Sequence, residues 1–352
     1  MTISLTDLPK ALLHDHLDGG LRIDTVLELA AETGYRGLPT TDPAELAAWF
    51  HQGESGSLER YLEAFAHTIA VMQSAPALQR VAYEATIDLA ADGVRYAELR
   101  FAPSLHTRGG LEPTEVIAAV AAGIDAGEAE TGCVTRLIVA AMRQMSDSES
   151  VAKLAVASRH LGVVGFDLAG PEAGYPNRSY RAACQHVADA NLPITVHAGE
   201  GDGTSQIWQA LHQCDARRIG HGVRIIEDTT VVDGEISDVG ELAAYIRDLR
   251  VPLEVSVLSN LHTGIYPAPA AHPVGRLHRA GFAVTINTDN RLMSGTSMTT
   301  EFDLLAAHHG FGIEDFHAVT HGALEAGFGE WPERERLIAE IDAEYRGLGS
   351  SL

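Results

Sequence analysis

Lysine is almost missing from this chain: only Lys10 and Lys153 occur, beside 23 arginines. Coding bias is the ordinary explanation, but the scarcity later restricts the chemistry. Cysteine is nearly as rare. Cys133, Cys184 and Cys214 are widely spaced and form no C-x-x-C pair, which excludes a disulfide framework or thiolate metal cluster and fits reduced thiols in a cytoplasmic protein. No apolar run reaches about 18 residues, and the opening MTISLTDLPKALLHDHLDGG lacks a basic stretch followed by an apolar one. Neither a membrane span nor a signal peptide is therefore expected. Positive charge is scarce as well: the formal net charge is −23. Phosphate backbones and anionic membranes are bound through Lys/Arg clusters, so no nucleic-acid or membrane partner is expected, and a multiply charged nucleotide is disfavoured as substrate. There is no G-x-G-x-x-G after a strand, no P-loop and no G-x-S-x-G, which leaves redox, kinase and serine-hydrolase readings without support.

Hydrophobic residues make up 45% of the 352, ample for one large core. Short, largely apolar runs recur at 11–17, 94–103, 135–142, 163–170, 192–200, 218–222, 251–259 and 283–289. Unbroken apolar runs suit strands covered on both faces. Helical patterns separate them at 57–92, 113–130, 147–160, 177–190, 203–213, 238–249 and 270–280, with a closing set at 299–309, 312–326 and 332–346. Eight strand–helix alternations predict an α/β fold, a (β/α)₈ TIM barrel forming a single domain over residues 1–352. The acidic stretch 225–240 reads as an exposed loop insertion. The segment 51–73 reads either as a helical cap over the barrel mouth or as an ordinary surface helical hairpin.

Polar residues that make no sense as core gather at the last positions of these strands: His14 and His16, Glu98 and Arg100, Asp167, His197 and Glu200, His221, Ser259 and Asn260, and Asp289. Barrel active sites are built at those ends. On a strand, residues i and i+2 share a face, so His14 and His16 can converge on one ion; joined to His197 and Asp289 they form an N₃O set that suits zinc. A carboxylated lysine bridges two metals in many barrel hydrolases. Here Lys10 precedes the first strand and Lys153 lies in a helix, which predicts one zinc per chain. Glu200, three residues after His197, is a candidate general acid and base if its pKa is raised, or else a solvated glutamate. His221 could orient or deprotonate a water, or be a satisfied core histidine. Glu98 and Arg100 read as a buried structural pair, and His51, His67, His106, His262, His308 and His309 lack metal spacing.

The motifs LLHDHLDGGLR (12–22), YAELRFAP (96–103), GFDLAG (165–170), HAGE (197–200), GHGVR (220–224), SNLHTG (259–264) and NTD (287–289) together resemble the adenosine deaminase family, in order along almost the whole chain. The resemblance implies that His14, His16, His197 and Asp289 bind zinc and that Glu200 protonates purine N1. His221 and Asp289 would hold the attacking hydroxide, Gly170 would give its backbone N–H to purine N3, and Asp18 would contact the ribose 5′-hydroxyl. His16 and Asn290 complete the substrate-binding set. Hydroxide adds at C6 and ammonia leaves, giving inosine. Two departures stand out. Asn290 replaces a second aspartate that hydrogen-bonds purine N7; an asparagine amide donates directly, whereas an aspartate must first be protonated. Ser256, Val257 and Leu258 stand where a Cys-Pro pair often precedes the SNLHTG segment. The H-x-E…P-C-x-x-C signature of the smaller zinc deaminases is absent.

The expected activity is thus deamination of adenosine and 2′-deoxyadenosine in purine salvage by a cytoplasmic amidohydrolase. Alternatives are a related adenine compound (free adenine or a 5′-modified adenosine) and a catalytically inactive binding barrel, against which the complete ligand set weighs.

Overall fold

The computed structural model describes residues 4–53 and 55–349; Glu54, inside the expected cap, and both ends of the 1–352 span lie outside the described residues. Eight parallel strands carry the fold: β1 (Lys10–His16), β2 (Val94–Phe101), β3 (Val134–Met142), β4 (Val163–Ala169), β5 (Thr195–Ala198), β6 (Arg218–His221), β9 (Leu253–Val255) and β10 (Val284–Ile286). Hydrogen bonding orders them as β1-β2-β3-β4 and β10-β9-β6-β5. Two parallel bridges, Phe166 to Ile194 and Asp15 to Asp289, join these sheets edge to edge and close the ring. At the seam His16 N–H donates to Asp289 C=O at 2.7 Å and Asp289 N–H to His14 C=O at 2.9 Å. The architecture is the expected (β/α)₈ TIM barrel.

The strands are buried almost throughout because helices cover their outer faces, as their apolar runs foretold. Ala75–Ala91 packs on Pro113–Thr131 closely enough that a Cβ at Gly123 would come within 2.2 Å of Gln79 C=O. Among the described residues no helix is long and apolar enough to cross a membrane.

Three local expectations change. Residues 251–259 are not one strand: β9 ends at Val255, and Val257–His262 is a helix whose first N–H groups, from Val257 and Leu258, donate to the buried Glu301 carboxyl at 2.9 and 3.4 Å. That distant cap outweighs the β-branched sequence. The insertion at 225–240 is exposed but not a loop, since Thr229–Val232 (β7) and Glu235–Val239 (β8) pair antiparallel around Asp233-Gly234, both at positive φ. Lys10 is the first residue of β1, not a residue before it; its ammonium donates to the carbonyls of Leu8 and Asp92 at the far end of the strand from His16.

Candidate active site

β1 presents His14 and His16 at its C-terminal end, β5 presents His197, and the turn after β10 presents Asp289. His14 Nε2 lies 3.3 Å and His16 Nε2 3.4 Å from Asp289 Oδ1, and His16 Nε2 lies 3.2 Å from His197 Nε2. A tetrahedron with arms of about 2.0–2.1 Å has edges of about 3.3–3.4 Å, so these spacings fit an N₃O zinc set. His14 Nε2 is buried and has no hydrogen-bond partner, as a nitrogen awaiting a cation would be. The opposite ring nitrogens explain the aim. His14 Nδ1 bonds Glu254 at 2.9 Å and His197 Nδ1 bonds Asp167 at 3.0 Å, which keeps the protons on Nδ1 and the Nε2 lone pairs pointing inward. Burial holds the His16 imidazole down to about 3, hence neutral.

Under this cluster lies a buried ionic layer. Arg100 pairs with Asp167 at 3.1 Å and Glu254 at 2.8 Å; Arg218 pairs with Glu98 and Glu254, both at 2.6 Å. Glu98 and Arg100 are structural, as expected, but each pairs elsewhere and not with the other. With Asp289, four carboxylates face two guanidinium groups, leaving two negative charges, which a divalent cation would balance. Glu254 and the Asp167–His197 contact were not singled out from sequence. The available signal was a lone carboxylate inside each apolar strand run.

Glu200 follows His197 on the loop that leaves β5. Glu172 shapes that loop by accepting the N–H groups of Gly199, Glu200 and Asp202 at 2.7, 3.0 and 3.0 Å. Arg143 secures its start, donating to His197 C=O, to Asn177 Oδ1 at 2.9 Å and to Gly170 C=O at 3.1 Å. Burial, then repulsion from Asp289 and Glu172, pushes the Glu200 carboxyl well above its usual range. Its Oε1 is buried and unpartnered. The side chain is set up as a neutral acid. Its Oε2 lies 3.5 Å from His221 Nε2.

The hydrogen atoms of His221 follow from a chain of bonds. Val274 N–H donates to His272 Nδ1 at 3.2 Å, so His272 carries its proton on Nε2 and gives it to Asn260 Oδ1 at 3.2 Å. The Asn260 amide then donates from Nδ2 to His221 Nδ1 at 3.0 Å. His221 is left with its proton on Nε2, facing Glu200. The backbone at this end is strained: His221 and Asp289 have φ of 61° and 56°, the left-handed region that non-glycine residues avoid. Asp289 Oδ2 accepts from Ser259 Oγ at 2.5 Å, which leaves Oδ1 for the histidine cluster.

All four ligand candidates except His14 line one cavity of about 180 Å³, with Glu200, His221, Asp18, Gly170 and Asn290 around it. The helices Leu58–Glu63 and Phe65–Val71 roof it through Leu58, Tyr61, Leu62 and Phe65, which favours the cap over the ordinary hairpin. Asp18 is buried, with one oxygen unpartnered and the other 3.7 Å from the buried His106. The described lining residues include no lysine or arginine.

The family profile described as adenosine deaminase matches residues 9–344. An adenosine deaminase of Mycobacterium ulcerans is 51% identical over 345 residues, covering 96% of this chain and 95% of that protein. Adenosine deaminase 1 of Streptomyces coelicolor is 49% identical over 339 residues, covering 95% and 86%. Among solved structures, the adenine deaminase of Arthrobacter aurescens superposes with a TM-score of 0.87 at 27% identity, covering 96% of this chain and 99% of that one. The Arabidopsis thaliana N6-methyl-AMP deaminase gives 0.80 at 26%, covering 96% and 97%.

Proposed function

Since this chain belongs to the adenosine deaminase family, we propose that it hydrolyses adenosine and 2′-deoxyadenosine to inosine and 2′-deoxyinosine with release of ammonia. The observation that carries this reading is the single cavity in which Glu200, its carboxyl pushed well above the usual range by burial, and the N₃O cluster face the same volume. His14, His16, His197 and Asp289 would hold zinc, whose spacing requirement they fit. Bound zinc supplies a Lewis acid that makes a hydroxide nucleophile available at neutral pH.

The chain's own groups supply the rest. Glu200 delivers its proton to purine N1, which withdraws electron density from C6 and opens that carbon to attack. His221 donates from Nε2 to the attacking oxygen, and Asp289 holds that oxygen against the C6 face. Gly170 N–H donates to purine N3, Asn290 to N7, and Asp18 accepts from the ribose 5′-hydroxyl. His16 borders the substrate as well as the metal. The cap excludes water, which strengthens these contacts.

The wall chemistry favours a nucleoside. A 5′-phosphate would meet the Asp18 carboxylate and none of the described lining residues would offer it a cation. We further read residues 1–352 as one hydrolase domain of a cytoplasmic purine-salvage enzyme; the family match over 9–344 and the free buried thiols support this. A spectrophotometric panel of adenosine, 2′-deoxyadenosine, adenine, 5′-deoxyadenosine and AMP tests the proposal. Adenosine and 2′-deoxyadenosine should turn over with kcat/KM at least about a hundredfold above AMP and adenine, a gap of roughly 2.7 kcal/mol. Preference for AMP or for free adenine would overturn it.

A further inference from the structure

Among the described residues, one set of potential metal ligands lies outside the active site: His317, His321 and Asp342, whose donor atoms fall within 4.8 Å of one another. His317 and His321 are four residues apart on the helix Ile313–Ala326, so their side chains leave the same face one turn apart. Asp342 reaches them from the closing helix Trp331–Gly349. His317 Nε2 donates to Asp342 Oδ1 at 2.7 Å, and His321 Nδ1 donates to the same oxygen at 2.9 Å. Two imidazoles thus aim one nitrogen each at a single point, beside a carboxylate. The chemistry above uses none of the three.

Their surroundings suit a cation. His317 stacks on Tyr345 with ring centroids 4.8 Å apart at 24°, and the buried Tyr345 is anchored by its hydroxyl to Pro9 C=O at 2.9 Å. That imidazole is therefore held in place before any ion arrives. His321 has a carboxylate on its other side too, Glu325 Oε1 at 3.6 Å from Nε2. With an ion on Nδ1, the ring carries its one proton on Nε2, where Glu325 faces it, which is how metal-ligating histidines are usually oriented. The side chains of His317, His321 and Asp342 are 32%, 34% and 21% exposed, so water can complete the coordination. A formal net charge of −23 draws cations toward the surface.

One adjustment is required. Ligand atoms around zinc stand about 3.3–3.4 Å apart, so the Asp342 oxygen, now 2.7 and 2.9 Å from the two nitrogens, must retreat by about 0.5 Å. A partly exposed aspartate can do so by turning about its side-chain bonds. The ion has only three protein ligands and displaces two hydrogen bonds, so it exchanges with solution, unlike the ion expected in the barrel.

We propose that His317, His321 and Asp342 form a second, exchangeable site for a divalent transition-metal ion, represented by Zn²⁺, that clamps the last two helices together. Imidazole donors select zinc, nickel and copper over magnesium and calcium. Because Ile313–Ala326 packs against β1 and β10, the clamp fastens the closing helix to that sector of the barrel.

The test starts from enzyme that has passed through gel filtration and keeps only tightly held metal, and titrates Zn²⁺ into it by calorimetry. One further equivalent should bind, displaced by Ni²⁺ and not by Mg²⁺. Glu325→Gln should weaken it about tenfold, and His317→Ala, His321→Ala or Asp342→Asn about a hundredfold or more, since losing a ligand costs more than losing its outer partner. Zinc should raise the melting temperature of the parent but not of His317→Ala, while kcat for adenosine stays at the parental value in all four variants. Should a ligand variant fold poorly, Glu325→Gln leaves the bonds among the three ligands intact and must still weaken the second equivalent. Uptake that adds no further equivalent, or a further equivalent that these substitutions leave unmoved, would overturn the proposal.

Discussion

Val274 donates its backbone N–H to His272, and two side chains later that donation decides which nitrogen of His221 is bare. Asn260→Asp reverses the middle link, since a carboxylate can only accept, and would draw the His221 proton to Nδ1. We expect kcat to fall by about a hundredfold or more with metal content unchanged, because a mispositioned imidazole proton removes most of a histidine's catalytic contribution. A near-parental rate would deny His221 its role as donor. Glu200→Gln keeps the shape of the acid but not its transferable proton. It should retain metal by elemental analysis while turnover drops on the order of 10²–10⁴-fold; normal turnover would remove Glu200 as the proton source. At this scale the sequence was informative where chemistry depends on spacing along one strand or one loop. His14 with His16, and His197 with Glu200, needed no partner from elsewhere to be noticed. Glu254, Glu172 and Arg143 were invisible because their importance lies in which distant groups they touch. The tautomer of His221 could not be read at all, being set by a residue 53 positions away.

Among elements, the strand ends act as one scaffold because their buried carboxylates bind the histidines from behind. Glu254 on β9 links β1 to Arg218 on β6 and Arg100 on β2. Glu254→Gln should weaken zinc affinity about 10–100-fold in chelator competition without changing the ligands themselves; unchanged affinity would mean that His14 is oriented by packing alone. On the barrel's outside, Asp342 in the helix Trp331–Gly349 accepts from His317 Nε2 at 2.7 Å and His321 Nδ1 at 2.9 Å on Ile313–Ala326. Burial would raise the Asp342 carboxyl, but these two bonds hold it below its ordinary value of 3.8. A depressed acid stabilises the fold above its unfolded pKa and stops doing so as pH falls through the folded value. Asp342→Asn should therefore melt lower than the parent at neutral pH, with the gap closing as pH drops below about 4. A gap constant down to pH 3 would show that the ionised form is not what holds these helices. Periodicity located most elements, but not the helix Val257–His262. Its capping carboxylate, Glu301, comes from the helix Met298–His309, and no local pattern announces so distant a cap.

For the whole molecule, metal and fold should be coupled. The candidate ligands come from β1, β5 and the turn after β10, so a bound ion would pin three sectors of the ring. Metal analysis should return about one zinc per chain, and two tightly held ions would contradict the mononuclear site. Stripping the ion with a chelator should lower the melting temperature by several degrees, since a ligand held at about 1,000 times its Kd stabilises by roughly 4 kcal/mol. No shift on removal would mean that the cluster is as well ordered without its ion.

The seam between β1 and Asp289 has a further consequence for how the enzyme comes into being. During synthesis, His14 and His16 emerge from the ribosome some 270 residues ahead of their carboxylate partner. Until then β1 has no neighbour on that edge, and the histidines have nothing to complete them. Closing so long a loop carries an entropic cost on the order of 5 kcal/mol, which the seam contacts and the captured ion must jointly offset. Activity therefore arrives late in the life of each nascent chain, and a polypeptide released before Asp289 is silent however well its earlier strands have folded.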